Sequence, residues 1–349
     1  MRRYFYLLSA VAIIFSACTK KAPEWEVQNP IKPIPDSPLG IDSKLSELPE
    51  PPTPERVRLG RWLFYDKRLS ADGTISCATC HRPENAFSEP TPTSTGIRGQ
   101  VGGRKAPSFV NLAWTIYPNF FWDGRAASLE EQAVGPIANP IEMGNTHEAV
   151  VADLNKIEGY KKYFKEAFGS ETVTLDHIAQ AIADYERTRL SGNSAWDRWK
   201  AGDETAVSDE VKLGDSLFFG KAECNQCHLG QNFTDSRFHN LGIGWEAKSK
   251  KFADEGRVAI SKAKEDTGAF KTPGLREVTK HAPYMHDGSV KTLEEVVEHY
   301  NKGGNKNPYL STRIRPLKLN DKEKAALVKL MQALEGEGYQ DEAPTTFPQ

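Results

Sequence analysis

Four stretches of the chain space their apolar side chains in the way that predicts amphipathic helices. Residues 55–64 and 211–219 repeat apolar side chains three or four positions apart, as do residues 178–186 and 323–334. In the first stretch, the apolar face consists of Val57, Leu59, Trp62 and Leu63. Because each half of the chain holds one such pair, the pattern predicts a mainly α-helical protein with an opening and a closing helix in each of two units.

The two opening helices also share a sequence, which indicates an internal repeat. The run RLGRWLF at residues 58–64 returns as KLGDSLF at residues 212–218. A Cys-x-x-Cys-His motif follows each run, at residues 77–81 and again at residues 224–228. A motif that recurs within a repeat predicts one equivalent site in each unit.

This motif is the one that attaches haem covalently. Each cysteine adds across one vinyl group of the haem, and the histidine that follows becomes the proximal ligand of the iron. The two sites consist of Cys77, Cys80 and His81 in the first unit and Cys224, Cys227 and His228 in the second. A structural zinc site or a disulfide would explain a single copy about as well, but the recurrence within a repeat favours two c-type haems.

Composition limits the class of protein. The chain has 349 residues, 38% of them hydrophobic, and a net charge of −2, which suits a soluble protein of two domains. No basic patch indicates a nucleic-acid partner. The five cysteines divide into two haem pairs and Cys18, so none remains for a disulfide framework.

The N-terminus has the pattern of an export signal. Two arginines precede an apolar run at residues 4–15 that is too short to span a bilayer as a helix. The run leads into Ser-Ala-Cys18, which resembles a bacterial lipobox, although Phe15 stands where leucine is usual. We expect a lipoprotein signal peptide at residues 1–17 and a periplasmic protein anchored to a membrane only through lipidated Cys18. The alternative is an ordinary secreted protein with a spare thiol.

The segment that follows predicts a spacer. Residues 18–54 contain nine prolines and little apolar periodicity, which favours a semi-extended tether between the lipid and the folded body. We assign the first cytochrome c-like domain to residues 55–200 and the second to residues 201–340.

The stretch after the first motif predicts an iron with an open coordination position. Between His81 and Trp122 the sequence contains no histidine and no methionine, the usual sixth ligands of a c-type haem. An iron with an empty distal position binds small oxidants, whereas a six-coordinate iron mainly passes electrons. The first site is therefore the candidate reaction site.

Three further segments carry a family resemblance: FFWDGRA at residues 120–126, SLEEQ at 128–132 and NPIEMG at 139–144. Together with the two haem motifs, they closely resemble the bacterial dihaem cytochrome c peroxidases and their MauG branch, over about residues 53–335. The resemblance implies two class I cytochrome c-like domains, each with one covalent haem.

The resemblance also implies roles for three side chains, each with an alternative. Trp122 falls at the position of the tryptophan between the haems, where an indole offers a stepping stone for electrons; it could instead be a core residue. Glu142 falls at the catalytic glutamate, which can move a proton between the oxygens of hydrogen peroxide; alone, it would be a surface residue. Gln132 falls at the distal-pocket glutamine, or it caps a helix. Asp123 and Arg125 we assign to a structural ion pair or a haem-propionate contact.

The second unit offers several sixth ligands for its haem. The candidates are Met285, His286, His299, Tyr300 and Met331. By resemblance, Tyr300 occupies the position where the peroxidases place a ligating methionine and the MauG branch a tyrosine. A phenolate is a hard anionic donor, so it would lower the potential of the haem relative to methionine. The alternative is a tyrosine packed within a helix.

A calcium site that the resemblance implies fits this chain poorly. Family members commonly bind calcium between the domains through an asparagine side chain and two backbone carbonyls, at positions that are Lys105, His281 and Pro283 here. A protonated lysine cannot ligate calcium, but its ammonium could take the place of the ion. Calcium is therefore a doubtful cofactor.

Three functions remain open from the sequence. The first is a peroxidase that reduces hydrogen peroxide to water at the first haem, with the second haem relaying electrons from a small redox protein. The second is a MauG-like oxidase of a partner protein's side chains, although Ala222 replaces the surface tryptophan of that branch, and Trp245 or another aromatic residue would have to substitute. The third is a dihaem electron carrier with two six-coordinate irons.

Overall fold

The computed structural model describes residues 22–115 and 119–349, and this part of the protein is mostly helical. Its helices are α1 (Glu24–Gln28), α2 (Pro54–Tyr65), α3 (Cys77–Cys80), α4 (Leu129–Ala138), α5 (His147–Asn155), α6 (Glu158–Phe168), α7 (Leu175–Arg187), α8 (Ala195–Lys200), α9 (Asp209–Phe219), α10 (Val258–Ser261), α11 (Leu293–Asn301) and α12 (Asp321–Gln332). Its strands are β1 (Phe238–Asn240), β2 (Trp245–Glu246), β3 (Lys251–Phe252) and β4 (Ala269–Lys271). The four predicted helices are confirmed as α2, α7, α9 and α12, with ends that differ by a few residues.

The N-terminal cap of helix α2 and its buried face both follow from its sequence. The side chain of Thr53 caps the helix by accepting the backbone N–H of Arg56, and Pro54 occupies the first turn, where its missing N–H costs nothing. The apolar face packs into the core, with Leu59 and Trp62 fully buried. The inward-facing Arg56 guanidinium lies 2.6 Å from the buried carboxylate of Asp184 on α7, so its charge is neutralised.

The repeated glycine explains how each opening helix packs on its closing helix. A Cβ atom at Gly60 would clash with the carbonyl oxygen of Ala181 on α7, and one at Gly214 would clash with that of Ala326 on α12. In both units, therefore, the two backbones approach too closely for any residue larger than glycine. The repeat seen in the sequence is thus a repeated helix–helix crossing.

Two hydrophobic cores correspond to the two repeats. The first combines α2, α6 and α7 around Phe64 and Tyr160, and Tyr339 from the C-terminal segment joins it. The second combines α9, α11 and α12 around Phe218 and Leu330. The exact boundary between residues 200 and 201 stays a prediction.

The proline-rich segment packs against the body over most of its described length. Trp25 donates its indole N–H to the Tyr163 hydroxyl at 2.8 Å, and Asn29 donates to the Arg58 carbonyl at 2.9 Å. Ile41 and Leu45 are buried. These contacts leave a shorter stretch for a spacer than residues 18–54. The predicted signal peptide and Cys18 lie outside the described residues, and no helix in the described part is long and apolar enough to cross a membrane.

A small sheet of the second unit contacts the first unit. Strand β1 pairs with β4 in antiparallel register, His239 opposite Phe270. At the end of β4, the backbone N–H of Lys271 donates to the carbonyl of Trp122 at 2.8 Å. This contact places the FFWDGRA segment of the first unit beside the second.

Candidate active site

The first Cys-x-x-Cys-His motif is a short helix with a histidine at its end. In α3, the backbone N–H of His81 donates to the carbonyl of Cys77 at 2.9 Å. The imidazole Nδ1 of His81 lies 2.9 Å from the carbonyl oxygen of Phe87. Because a carbonyl only accepts, Nδ1 carries the proton and Nε2 is left as the ligand atom.

The second motif repeats this geometry. The backbone N–H of His228 donates to the carbonyl of Cys224 at 2.9 Å, and its Nδ1 lies 2.9 Å from the carbonyl oxygen of Phe233. Burial lowers the pKa of both motif histidines, which favours the neutral imidazole that ligates metals. The same orientation of two buried histidines, each with a free Nε2, fits an axial iron ligand.

The alternatives of zinc and a disulfide fit less well. All four motif cysteines are unpaired in the structure. The one group of metal-ligand side chains found in the described part, with donor atoms within 4.8 Å of one another, is Cys227, Asp235 and His239. It uses a single cysteine of one motif, whereas structural zinc sites commonly use both cysteines of a Cys-x-x-Cys pair.

The second motif opens into a mostly apolar cavity of about 200 Å³ that Tyr300 also lines. Of the five candidate sixth ligands, Met285, His286 and Met331 line the cavity as well. His299 does not, and its Nε2 lies 3.0 Å from the carbonyl oxygen of Leu241. Tyr300 is enclosed, and burial raises the pKa of its hydroxyl. A haem attached to this motif would therefore lie within reach of Tyr300, among apolar walls that suit a porphyrin.

Glu142 lies in a turn that other segments hold in place. The Asn139 side chain donates to Glu142 Oε1 at 2.8 Å, and the backbone N–H of Ile97 donates to the Glu142 carbonyl at 2.7 Å. A Cβ atom at Gly96 would clash with the backbone of Glu142, so the loop after the first motif is in close contact with this turn. The backbone of this turn is therefore held by a segment distant in the sequence, and the carboxylate by the nearby Asn139.

The environment of Glu142 is that of a reactive carboxyl. Burial raises its pKa, and Arg125 partly opposes that shift. Burial is the main cause of the raised thiol pKa values of Cys77 and Cys80, and the negative charge of Glu142 raises both values further. The carboxyl therefore lies within electrostatic reach of the first attachment site.

The other distal candidate, Gln132, is half-buried on α4. Within the described residues, no hydrogen bond involves its side-chain amide. Its distal role therefore stays a prediction. Asp123 and Arg125 form the expected ion pair, at 3.0 Å.

Trp122 is held at the junction of the two units. Its indole N–H donates to the backbone carbonyl of Lys105 at 2.8 Å. Its side chain lines the cavity of the second motif and also a larger cavity of about 530 Å³ between the units. The ring centroid of His286 is 6.5 Å away. The predicted position between the units is therefore consistent with the structure.

The positions of the implied calcium site do not fit a calcium ion. The Lys105 ammonium donates to the carbonyl of Glu89, and within the described residues no hydrogen bond joins it to the carbonyls of His281 and Pro283. His281 is enclosed with Nε2 unpaired, and burial, with the nearby Lys105 charge, lowers its pKa to about 3. Calcium prefers six to eight oxygen ligands, which a lysine ammonium and an imidazole do not supply.

Two charged groups near the sites escaped the sequence analysis. Arg104 bridges the units, with its guanidinium 2.6 Å from Asp123 and 2.6 Å from Asp254. Glu186 is enclosed beside Cys77 with one carboxyl oxygen unpaired, and burial raises its pKa to about 8. Glu186 lies four residues after Ile182, which lies four residues after Ile178, so it falls on the apolar face of α7. An acidic residue on an apolar helix face is the feature by which the sequence could have revealed this group.

Comparison with known proteins settles the family. Residues 54–205 match the family model described as di-haem cytochrome c peroxidase. The methylamine utilization protein MauG of Methylorubrum extorquens is 41% identical over 300 residues, which cover 86% of this chain and 82% of the relative. The chain belongs to the di-haem cytochrome c peroxidase family.

Other members of the family extend the similarity over nearly the whole chain. The cytochrome-c peroxidase IdrP1 of Denitromonas iodatirespirans is 34% identical and covers 95% of this chain and 93% of its own. A crystal structure of a MauG-like protein associated with microbial copper homeostasis is 32% identical, with a TM-score of 0.76 over 89% of this chain and 95% of that chain. Membership identifies a dihaem oxidoreductase that acts on peroxide and implies two c-type haems.

Proposed function

We propose that this peroxidase reduces hydrogen peroxide to water at its first haem site, with electrons passed from the second site through Trp122. The observation that carries the proposal is the half-buried Glu142 carboxyl, which Asn139 holds by a hydrogen bond and whose charge acts on Cys77 and Cys80. A family member that only carried electrons would have no use for a fixed carboxyl at this position.

The residues that would hold the two haems are the six of the motifs. Cys77 and Cys80 would attach the first and His81 would ligate its iron through Nε2; Cys224, Cys227 and His228 would do the same for the second. When bound, the haem iron supplies the electrons that cleave the O–O bond. The protein's own contribution is to hold these groups, move protons and exclude water.

The role of Glu142 follows from its environment. Its carboxylate accepts a proton from one oxygen of hydrogen peroxide and returns it to the other, which leaves as water. Burial raises its pKa, so the carboxylate accepts a proton from the peroxide more readily. The Asn139 amide occupies Oε1, so Oε2 is the oxygen left to exchange the proton.

Trp122 joins the two sites. Its indole is fixed by the hydrogen bond to Lys105 and lines the cavity of the second motif. An indole in this position shortens the distance that an electron must travel between the two haems.

A MauG-like oxidation of a partner protein is the second candidate, and the enclosed Tyr300 favours it. A tyrosinate ligand would stabilise the oxidised state of the second site and so keep an oxidising equivalent available. Ala222, at the position of that branch's surface tryptophan, is buried in the same cavity. The ring centroids of Trp245 and Phe252 lie 5.0 Å apart. Those of Trp196 and Phe233 also lie 5.0 Å apart, and the backbone carbonyl of Phe233 accepts a hydrogen bond from Nδ1 of His228. Trp196 is thus the better connected exit for an electron hole.

The cellular setting belongs to the proposal as well. We expect a periplasmic protein, released from its signal peptide at Cys18 and anchored by lipid at that residue. Its partner would be a small redox protein as electron donor, or a protein substrate if the second candidate holds.

Two measurements test the proposal. The first is haem staining after denaturing electrophoresis together with intact mass, which should show two covalent haems per chain. The second is electron paramagnetic resonance of the oxidised protein, which should show one high-spin and one low-spin haem. Two low-spin signals would refute an open first site, and the electron-carrier hypothesis would replace the proposal. Trapping a partner after peroxide addition, in wild-type and Trp196→Phe proteins, separates the two enzyme candidates.

A further inference from the structure

A buried lysine lies at the junction of the two units. The side chain of Lys105 is 4% exposed, and its ammonium donates to the backbone carbonyl of Glu89. Burial lowers the pKa of Lys105 to about 8, while the negative charge of Glu89 raises it. At neutral pH the group is therefore a cation enclosed by protein.

The same residue connects three segments. Its backbone N–H donates to the carbonyl of His286 in the second unit at 2.8 Å, and its carbonyl accepts the indole N–H of Trp122 at 2.8 Å. The side chain adds the link to Glu89, in the loop that follows the first motif. The position of Trp122 thus depends on how Lys105 is held.

The surroundings of Lys105 suit an ammonium better than a metal ion. The buried Glu89 carboxylate is already occupied by the hydroxyl of Ser94, at 2.6 Å, and by the backbone N–H of Ala106. The neighbouring His281 offers an unpaired Nε2 rather than an oxygen ligand. The cluster of metal-ligand side chains found in the described chain lies elsewhere, at Cys227. A divalent cation beside Lys105 would also be repelled by its charge.

We propose that Lys105 is an internal cation at this junction, positioning Trp122 and joining the units without bound calcium. A lysine side chain is covalently tethered and cannot dissociate, so the junction is independent of the metal supply. Only the role of Trp122 as an electron path rests on the proposed function; the metal independence does not.

The experiment compares the thermal midpoint of the haem-loaded protein in EDTA and in excess calcium chloride. Wild type should show the same midpoint in both. Lys105→Asn removes the charge and supplies an oxygen ligand, so calcium at about 100 times its Kd should raise the midpoint of this variant by roughly 5 °C. Lys105→Met removes the charge without supplying a ligand and should not respond.

Hydrogen exchange measures the positioning role separately. The backbone around residues 86–92, 103–107 and 284–288 should lose protection together in Lys105→Met. Calcium should restore this protection in Lys105→Asn. The matched control is Lys271→Asn, because Lys271 is another lysine whose pKa burial lowers to about 8 and whose ammonium donates to a carbonyl, that of Asn119 at 2.6 Å. The thermal midpoint and the hydrogen exchange of this control should not change with calcium.

Two results would overturn the proposal. One is a wild-type midpoint that rises with calcium and falls with EDTA, since the junction would then bind the metal despite Lys105. The other is a folded Lys105→Asn protein that ignores calcium in both measurements. If Lys105→Asn does not fold, the wild-type comparison and the exchange pattern of Lys105→Met still decide, and unchanged protection in Lys105→Met would refute the positioning role.

Discussion

Replacing Glu142 by glutamine should slow the reaction with hydrogen peroxide by about 10² to 10⁴-fold. The substitution keeps the size of the side chain and an oxygen that can accept the Asn139 hydrogen bond of 2.8 Å, so the turn should keep its shape. What it removes is the group that exchanges a proton. The change therefore isolates proton transfer from packing.

The magnitude separates this effect from a loss of positioning. A loss of 10² to 10⁴ corresponds to about 3 to 5 kcal/mol of barrier. One neutral hydrogen bond contributes only about 0.5 to 1.5 kcal/mol. Asn139→Ala removes the hydrogen bond to Glu142 and the one that the Asn139 side chain accepts from the backbone N–H of Ile141, but it keeps the carboxyl, so it should cost about tenfold at most.

The assay is stopped-flow absorbance of the haem-loaded protein mixed with excess hydrogen peroxide, with the rate of the first spectral change as readout. The control is Glu148→Gln, a change of the same type at an exposed position of α5. Haem content and the low-spin resonance signal of the second site should be unchanged in both variants. A Glu142→Gln protein that reacts at the wild-type rate would refute the catalytic role, and the open first site alone would have to account for the reaction.

Three further predictions address other parts of the molecule. Tyr300→Met should raise the reduction potential of the second haem, measured by spectroelectrochemical titration, because a neutral thioether stabilises the oxidised iron less than a phenolate does; an unchanged potential would exclude Tyr300 as ligand. Gly214→Ala should cost about 1 to 3 kcal/mol of unfolding free energy in urea, because the added Cβ meets the Ala326 carbonyl, whereas Gly103→Ala, with open space at its Cβ, should cost little. The pKa of Lys105 is lowered from 10.5 to about 8, so between these pH values the unfolded chain binds more protons and stability rises with pH. The unfolding free energy of wild type, relative to Lys105→Met, should therefore increase by about 3 kcal/mol from pH 8 to pH 10.5, and a flat difference would contradict the lowered pKa of Lys105.

Local patterns were sufficient to predict four of the helices in the described part of the chain and to locate the two Cys-x-x-Cys-His motifs. The apolar spacing of residues 55–64 reflects which face α2 buries, and the structure ends that helix within one residue of the prediction. The Cys-x-x-Cys-His motif is likewise local, because its two attachment cysteines and its ligand histidine lie within five residues. The repeat of Gly60 as Gly214 was visible in the sequence, and the structure explains it by the close crossing of two helices.

Contacts between segments distant in the sequence determined the features that local patterns did not predict. The sequence left five possible sixth ligands for the second haem, and only the packing of α11 placed Tyr300 in the cavity while directing His299 to the Leu241 carbonyl. The proline-rich segment was predicted to be a spacer because composition does not reveal a docking partner, such as Tyr163 for Trp25.

The polar junction is the clearest case of a feature that sequence order conceals. Lys105 joins Glu89, Trp122 and His286, and each pairing depends on the tertiary fold rather than on neighbours in the chain. Periodicity and motifs record which residues face inward or share one turn. The partner of a buried charge is selected by the folded arrangement of both units, because only that arrangement excludes water and leaves a single acceptor within reach.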